Sequence, residues 1–179
     1  MNIALVGPRG SGKTRISLHL GLLLKRPILS LDAMISYEES GKSIPDLIAE
    51  HDGDWRHFRD VEYRVLAKAA AVENVIIDCG GGIVVDLDER REEVFSERKA
   101  AVLRERALVF FLNVPLDLVS TEIAGAGDRP SLGSESSPEE IFHRRLPMYR
   151  QVANHEISVA KGKRKSAAKE ICKIVAASG

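Results

Sequence analysis

The sequence predicts an α/β fold in one domain, a mainly parallel sheet covered by helices on both faces. Three observations predict it. Short apolar runs of strand length alternate with longer stretches of helical periodicity. Strands separated by helices make βαβ units, whose helices end up on the two faces of the sheet. The chain has 179 residues, 44% apolar and 29% charged, which suits a single core of ordinary soluble balance.

The elements follow in order. Ile3-Ala4-Leu5-Val6 is a buried strand by its length and by the glycine that closes it. Residues 13–25 form a helix with Ile16, Leu18, Leu20, Leu23 and Leu24 at helical spacing, stopped by Pro27. Residues 28–31 (ILSL) read as a second strand ending at Asp32. Residues 45–51 and 54–72 read as helices, the second turning Phe58, Val61, Val65, Leu66 and Ala69 inward. The third strand runs into NVIIDCGGG, residues 74–82. The charge-rich segment 86–106 is expected to be helical. Residues 107–114 (ALVFFLNV) make the strongest strand. Pro115 opens a helix at a favoured position. Residues 125–137 (GAGDRPSLGSESS) are rich in Gly and Ser and read as a mobile loop. Pro138 opens a helix to about Val152, residues 156–160 are a last strand, and 166–176 a closing helix.

Several function classes are disfavoured at once. Acids and bases balance at 26 each, so there is no overall nucleic-acid or acidic-membrane footprint. The two cysteines, Cys79 and Cys172, make neither a metal-ligand spacing nor a disulfide framework, which points to a reducing compartment. The first residues lack a signal-peptide layout, and no 18-residue apolar stretch exists. A cytoplasmic protein acting on a small molecule is expected, with no nucleic-acid or membrane partner, and as a monomer.

In open parallel sheets ligands sit beyond the carboxyl ends of the strands. Residues 7–14, GPRGSGKT, lie at such an end and fit G-x-x-x-x-G-K-[ST] between a strand and a helix. The glycines let the loop curl so that backbone N–H groups face phosphate oxygens, and the helix N-terminus adds partial positive charge. Gly7, Gly10, Ser11 and Gly12 therefore make a phosphate cradle. Lys13 can reach the β- and γ-phosphates, and the Thr14 hydroxyl can ligate Mg²⁺. The cradle implies a nucleoside triphosphate without naming the phosphoryl acceptor.

Further matches follow in order along the chain. They are Leu31-Asp32 with GKSI at 41–44, Phe58-Arg59-Asp60-Val61-Glu62, Gly80-Gly81-Gly82, Asp128-Arg129-Pro130, and RLPMYRQVA at 145–153. From residue 2 to residue 159 the chain resembles the shikimate kinase family of P-loop small-molecule kinases. The matches correspond to that family's D-x-D region, F-R-x-x-E, triple glycine, lid R-P and R-x-x-x-Y-x-x-x-A motifs. The resemblance implies a three-layer P-loop fold with a five-stranded parallel sheet and a lid at about 124–137. It also implies ATP and Mg²⁺ as cofactors, and transfer of a phosphoryl group to a hydroxyl of shikimate in aromatic amino-acid biosynthesis. By the same resemblance Arg59 and Arg145 clamp the acceptor's carboxylate, since a guanidinium fork matches two oxygens. Asp32 orients the attacking hydroxyl and takes its proton, Gly80 to Gly82 wall the pocket, and Arg129 stabilises the moving phosphoryl group.

Blander readings stand beside these. Arg59 and Glu62 fit a surface i,i+3 pair, Asp32 fits a helix N-cap, and Arg145 beside Arg144 fits a solvated helix face. Arg129 fits an ordinary loop residue, Cys79 a small packed side chain, and Trp55 rim or core packing. Two other functions also remain open, a related kinase for another polyol acid or a nucleotide, and a non-catalytic nucleotide switch.

The chain departs from the family pattern in three places. The first acid of D-x-D is replaced by Ser30. The lid reads RPSL, with no arginine before it near Ser120-Thr121. Asp78 stands where a small residue is usual. Many P-loop proteins hold the magnesium shell with an acid at the end of strand three, so Asp78 is expected to replace the charge missing at Ser30. The competing reading is that Asp78 caps the glycine turn.

Overall fold

The computed structural model describes residues 1–116 and 137–178. In chain order the elements are β1 (Asn2–Val6), α1 (Lys13–Leu24), β2 (Ile28–Ser30), α2 (Leu31–Glu38), α3 (Ile44–Ala49) and α4 (Trp55–Ala71). There follow β3 (Ile76–Asp78), β4 (Val85–Leu87), β5 (Glu93–Phe95), α5 (Glu97–Arg106), β6 (Ala107–Asn113), α6 (Pro138–Val152), β7 (His155–Ser158) and α7 (Arg164–Ala177). Five strands form one sheet in the order β2-β3-β1-β6-β7, and every pairing in it is parallel.

β1 lies at the centre, and all five of its residues are buried. Its side chains alternate between two cores, as strand geometry requires. Ile3 and Leu5 join Phe110 and Leu112 of β6 in a layer completed by Ile16 and Leu20 of α1 and by Ala168 and Ile171 of α7. Ala4 and Val6 face the opposite layer, where Phe58, Val61, Val65, Leu66 and Ala69 of α4 meet Leu31 and Ile35 of α2, Leu103 of α5 and Tyr149 of α6. The expected inward face of α4 is thus the one it buries. α1 differs. Ile16 and Leu20 carry its packing, whereas Leu18 and Leu23 are about half exposed. A helix that is apolar on most sides buries only the face its neighbours can reach.

Segment 86–106 is not a single helix. It opens as an antiparallel hairpin, with Val85 opposite Phe95, Asp86 opposite Val94 and Leu87 opposite Glu93. The helix begins only at Glu97, where the Ser96 hydroxyl caps it by accepting from Lys99 N. Asp88 closes the hairpin turn, its carboxylate accepting from Arg90 N and Glu92 N at 2.9 Å each. Arg91 takes a positive φ of 65°, a conformation usually left to Gly or Asn. The hairpin packs against α4, and its Asp86 ties it to the start of α5, accepting from Ser96 Oγ at 2.7 Å and from Arg98 Nε at 2.8 Å.

A second difference is smaller. β2 ends at Ser30 and α2 starts at once, so Asp32 lies inside the first helical turn. The N-cap is Ser30, whose hydroxyl accepts from Ala33 N. α6 starts where Pro138 predicts, and Ser137 and Glu140 close a reciprocal capping box ahead of it. The helix expected after Pro115, the lid and Arg129 all lie outside the described residues.

Candidate active site

The sheet brings the strand ends together. Ser30 at the end of β2 and Leu5 near the end of β1 both stand opposite Asp78, the last residue of β3. The loop after β1, the first turn of α2 and the glycines after β3 therefore meet along one edge of the sheet.

The loop of residues 7–12 turns on glycine conformations. Gly10 and Gly12 hold φ of 81° and 84°, which side chains rarely adopt. Gly12 is the N-cap of α1, and that first turn has neither a side-chain cap nor an acid. The helix thus presents its N–H groups and positive end to an anion. Lys13 is buried and folds over the loop, donating to the Gly7 and Pro8 carbonyls at 2.8 Å each and to Ser11 Oγ at 3.3 Å. Arg164 of α7 lies against Gly12 so closely that a Cβ there would stand 2.6 Å from its Nε.

Asp78 is 6% exposed, and its Oδ1 has no hydrogen-bond partner among the described residues. Burial pushes its carboxyl above the ordinary value, against a hydrogen bond from Thr14 and the charge of Lys13, while Asp32 pushes the same way as burial. A buried, under-satisfied carboxylate oxygen beside the Thr14 hydroxyl is a donor set that suits a hard cation such as Mg²⁺. Asp32 does not cap the helix that follows β2, since Ser30 does that.

Beyond these residues lies a cavity of about 600 Å³. Its wall includes Arg9, Asp32, Trp55, Phe58, Arg59, Glu62 and Gly80 to Gly82. That volume fits a small ligand. The three glycines have no positive φ. What they allow is close approach. A Cβ on Gly82 would stand 2.3 Å from Arg59 Nη1, one on Gly81 3.0 Å from Arg9 N, and one on Gly80 3.1 Å from Asp32 Oδ1. The glycines therefore leave room for the side chains that line the cavity.

Arg59 and Glu62 are not a surface pair. Arg59 is 3% and Glu62 1% exposed, and Arg59 Nη1 donates to Glu62 Oε2 at 3.0 Å. The same oxygen accepts from Lys99 Nζ at 2.8 Å, and Lys99, fully buried, also donates to Val85 O at 2.6 Å. Burial favours a neutral Glu62, but Lys99 and Arg59 outweigh it and hold the carboxyl below its ordinary value. The Arg59 guanidinium lies against both Trp55 and Phe58, with its central carbon 5.4 Å and 5.3 Å from their ring centres. Arg59 Nε is buried and left without a partner among the described residues.

Arg145 is not on a solvated face either. It is 2% exposed, held by Glu93 of the hairpin through Nε at 3.0 Å and through Nη2, and it donates from Nη1 to Gly81 O at 3.2 Å. Tyr149 one turn on donates to the same carbonyl. Arg145 is absent from the cavity wall. It stands behind Gly81 and is brought together with Arg59 through the adjacent glycines.

Arg9, Glu62, Glu93 and Lys99 were not singled out as site residues by the sequence. Glu62 was visible as part of F-R-x-x-E. Glu93 had a signal in the Val-Asp-Leu and Glu-Val-Phe alternation around Asp88. Arg9 had a signal in its place inside GPRGSGKT, and Lys99 offered none beyond charge. Cys79 is 2% exposed, and burial pushes its thiol up, which makes it a packed side chain and no nucleophile.

Known proteins resemble the chain along nearly its whole length. The sequence profile of the shikimate kinase family matches residues 9–176. A shikimate kinase of Leptospira borgpetersenii is 41% identical over 158 residues, 88% of each chain. One from Leptospira biflexa is 36% identical over 171 residues, covering 96% of this chain and 93% of its own. Among solved structures, the shikimate kinase from Acinetobacter baumannii in complex with shikimate superposes with a TM-score of 0.82 at 30% identity, covering 99% of this chain and 93% of that one. The phosphate loop, the parallel sheet and the arginine-lined cavity thus occur together in a chain that matches these proteins over most of its length, and the chain belongs to the shikimate kinase family.

Proposed function

We propose that this protein transfers the γ-phosphoryl group of ATP to a hydroxyl of shikimate. One observation carries the reading. Two buried arginines, Arg59 and Arg145, converge on Gly81 and Gly82 beside a small cavity that Asp32 borders. A carboxylated ring would find there a charge partner at one end and a hydroxyl acceptor at the other.

The residues divide the work. The loop N–H groups of Gly10, Ser11, Gly12 and Lys13, with the Lys13 ammonium, bind and orient the phosphates. Arg59 and Arg145 hold the acceptor's carboxylate, and Gly80 to Gly82 allow its approach. Asp32 accepts a hydrogen bond from the attacking hydroxyl and receives its proton. The hydroxyl oxygen then bonds to the γ-phosphorus as the bond from that phosphorus to the β,γ-bridging oxygen breaks, leaving ADP. Thr14 and Asp78 would hold Mg²⁺, which neutralises phosphate charge when bound. Arg129, outside the described residues, is assigned the charge on the moving phosphoryl group by its motif alone. No described helix is long and apolar enough to cross a membrane; a cytoplasmic monomer is part of the proposal.

The test is ADP formation with and without shikimate. Shikimate is expected to stimulate it strongly. Stimulation only by another polyol acid or a nucleotide would reassign the acceptor, and no acceptor-dependent turnover would leave a nucleotide switch.

The magnesium assignment has its own test. Ser30 stands opposite Asp78 in the sheet and is engaged in capping α2, which fits a transfer of the metal-side charge from β2 to β3. Asp78→Asn is expected to raise the Mg²⁺ concentration for half-maximal turnover about tenfold or more, with KM for shikimate within about twofold. An unchanged Mg²⁺ dependence would remove Asp78 from the metal shell.

A further inference from the structure

The hairpin β4–β5 joins both arms of the arginine clamp. Through Val85 O it fixes Lys99, which holds Glu62 and hence Arg59. Through Glu93 it fixes Arg145. The Glu93 carboxylate is about nine-tenths buried, and it also accepts from Arg144 Nε at 3.0 Å. Burial pushes it up, but the two arginines outweigh this and hold it below its ordinary value.

The donor count on Arg145 shows what this grip leaves. A guanidinium has five N–H groups. Glu93 takes Nε and one on Nη2, and Gly81 O takes one on Nη1. The Tyr149 side chain engages a further one, which leaves one N–H for an acceptor.

On the reading that the acceptor is shikimate, we propose that Glu93 is a positioning residue. It holds the Arg145 guanidinium on Gly81, behind the glycine wall of the cavity and poised toward the acceptor's carboxylate, and it thereby sets acceptor affinity without touching the acceptor. Free rotation of a long arginine would otherwise have to be frozen on binding, which weakens affinity. A carboxylate that instead occupied the acceptor's own place on Arg145 would have the opposite effect.

The experiment measures acceptor affinity in two ways. The sole tryptophan, Trp55, lines the cavity, so its fluorescence reports shikimate binding apart from turnover. Glu93→Gln is expected to raise the dissociation constant and KM for shikimate about tenfold, the loss of a charge-assisted hydrogen-bond pair, with kcat and KM for ATP within about twofold. Glu93→Asp, which keeps the charge, is expected to lie between Gln and wild type. In an Arg145→Met background Glu93→Gln should change nothing further, because its effect runs through Arg145. Unchanged shikimate affinity overturns the proposal, as does tighter binding, which would make Glu93 a competitor. A parallel fall in kcat, ATP affinity and melting temperature also overturns it, leaving a structural hairpin. If Glu93→Gln does not fold, Glu93→Asp carries the same measurement. A wild-type protein with no shikimate-dependent turnover would sink the function itself. A wild type that turns over beside an indifferent Glu93 variant would sink only this inference.

Discussion

Asp32→Asn is expected to lower kcat by about a hundredfold to ten-thousandfold, the usual range for a lost general base, while KM for ATP stays within about twofold. The substitution keeps size and shape and removes the ability to take a proton. Position makes Asp32 the candidate. Its Oδ1 lies 3.1 Å from the place a Cβ on Gly80 would fill, at the junction of the cavity with the strand ends that carry the phosphate loop and Asp78. The competing duty as helix cap falls to Ser30, so a loss of kcat cannot be traced to an uncapped α2. The same circumstance predicts little change in stability, since a half-buried first-turn acid contributes only about 0.3–2 kcal/mol through the helix dipole. Steady-state kinetics with urea unfolding on the same preparation decides the matter. A kcat within about threefold of wild type would reduce Asp32 to an orienting role.

How far the site could be read from the sequence depends on how local its physics is. The phosphate loop was legible because strand, glycines, lysine and helix are contiguous, and the structure finds each in its expected conformation. Strand order followed less directly, since the alternation of strands and helices gives parallel pairing but not which strands are neighbours. Arg59 and Glu62 were legible as a pair but not as a buried one. Nothing three residues apart on a helix shows that Lys99, 37 residues beyond Glu62, will close over them. Arg145 was legible as a clamp candidate, whereas its partner Glu93 lies 52 residues away, in a segment whose charge density mimics a solvated helix. The turn of that hairpin has no glycine or asparagine, and Arg91 takes the positive φ instead, so the usual punctuation was missing. Lys99 shows the same limit from the other side, because burial of a lysine is exceptional and only tertiary neighbours make it tolerable.

That buried triad sets the last expectation. Glu62→Gln should destabilise the fold by about 3–5 kcal/mol, the usual result of removing one partner from a buried ion pair. The glutamine would leave Arg59 and Lys99 facing each other, 3% and 0% exposed, with only Asp86, 3.4 Å from Lys99, as an anion nearby among the described residues. Burial already lowers the Lys99 pKa, opposed chiefly by the charge of Glu62. With that charge gone Lys99 would move further down, and shedding its proton is the cheapest relief open to the core. The pH dependence has a definite sign. The folded Glu62 carboxyl lies below its ordinary value, so its contribution is complete above about pH 5, where an unfolded glutamate is ionised. It is lost as pH falls through the depressed folded value. The stability gap between wild type and Glu62→Gln should therefore be widest near neutrality and close in acid. Urea unfolding at pH 7 and at successively lower pH measures it. The double variant Glu62→Gln with Lys99→Met should recover part of the loss, because it removes the stranded cation together with its partner. A single-variant loss below about 1 kcal/mol, or no recovery in the double variant, would mean that the Arg59–Glu62 pair stands without Lys99. In that case Arg59 would owe its place at the cavity to the Trp55 and Phe58 rings it lies against.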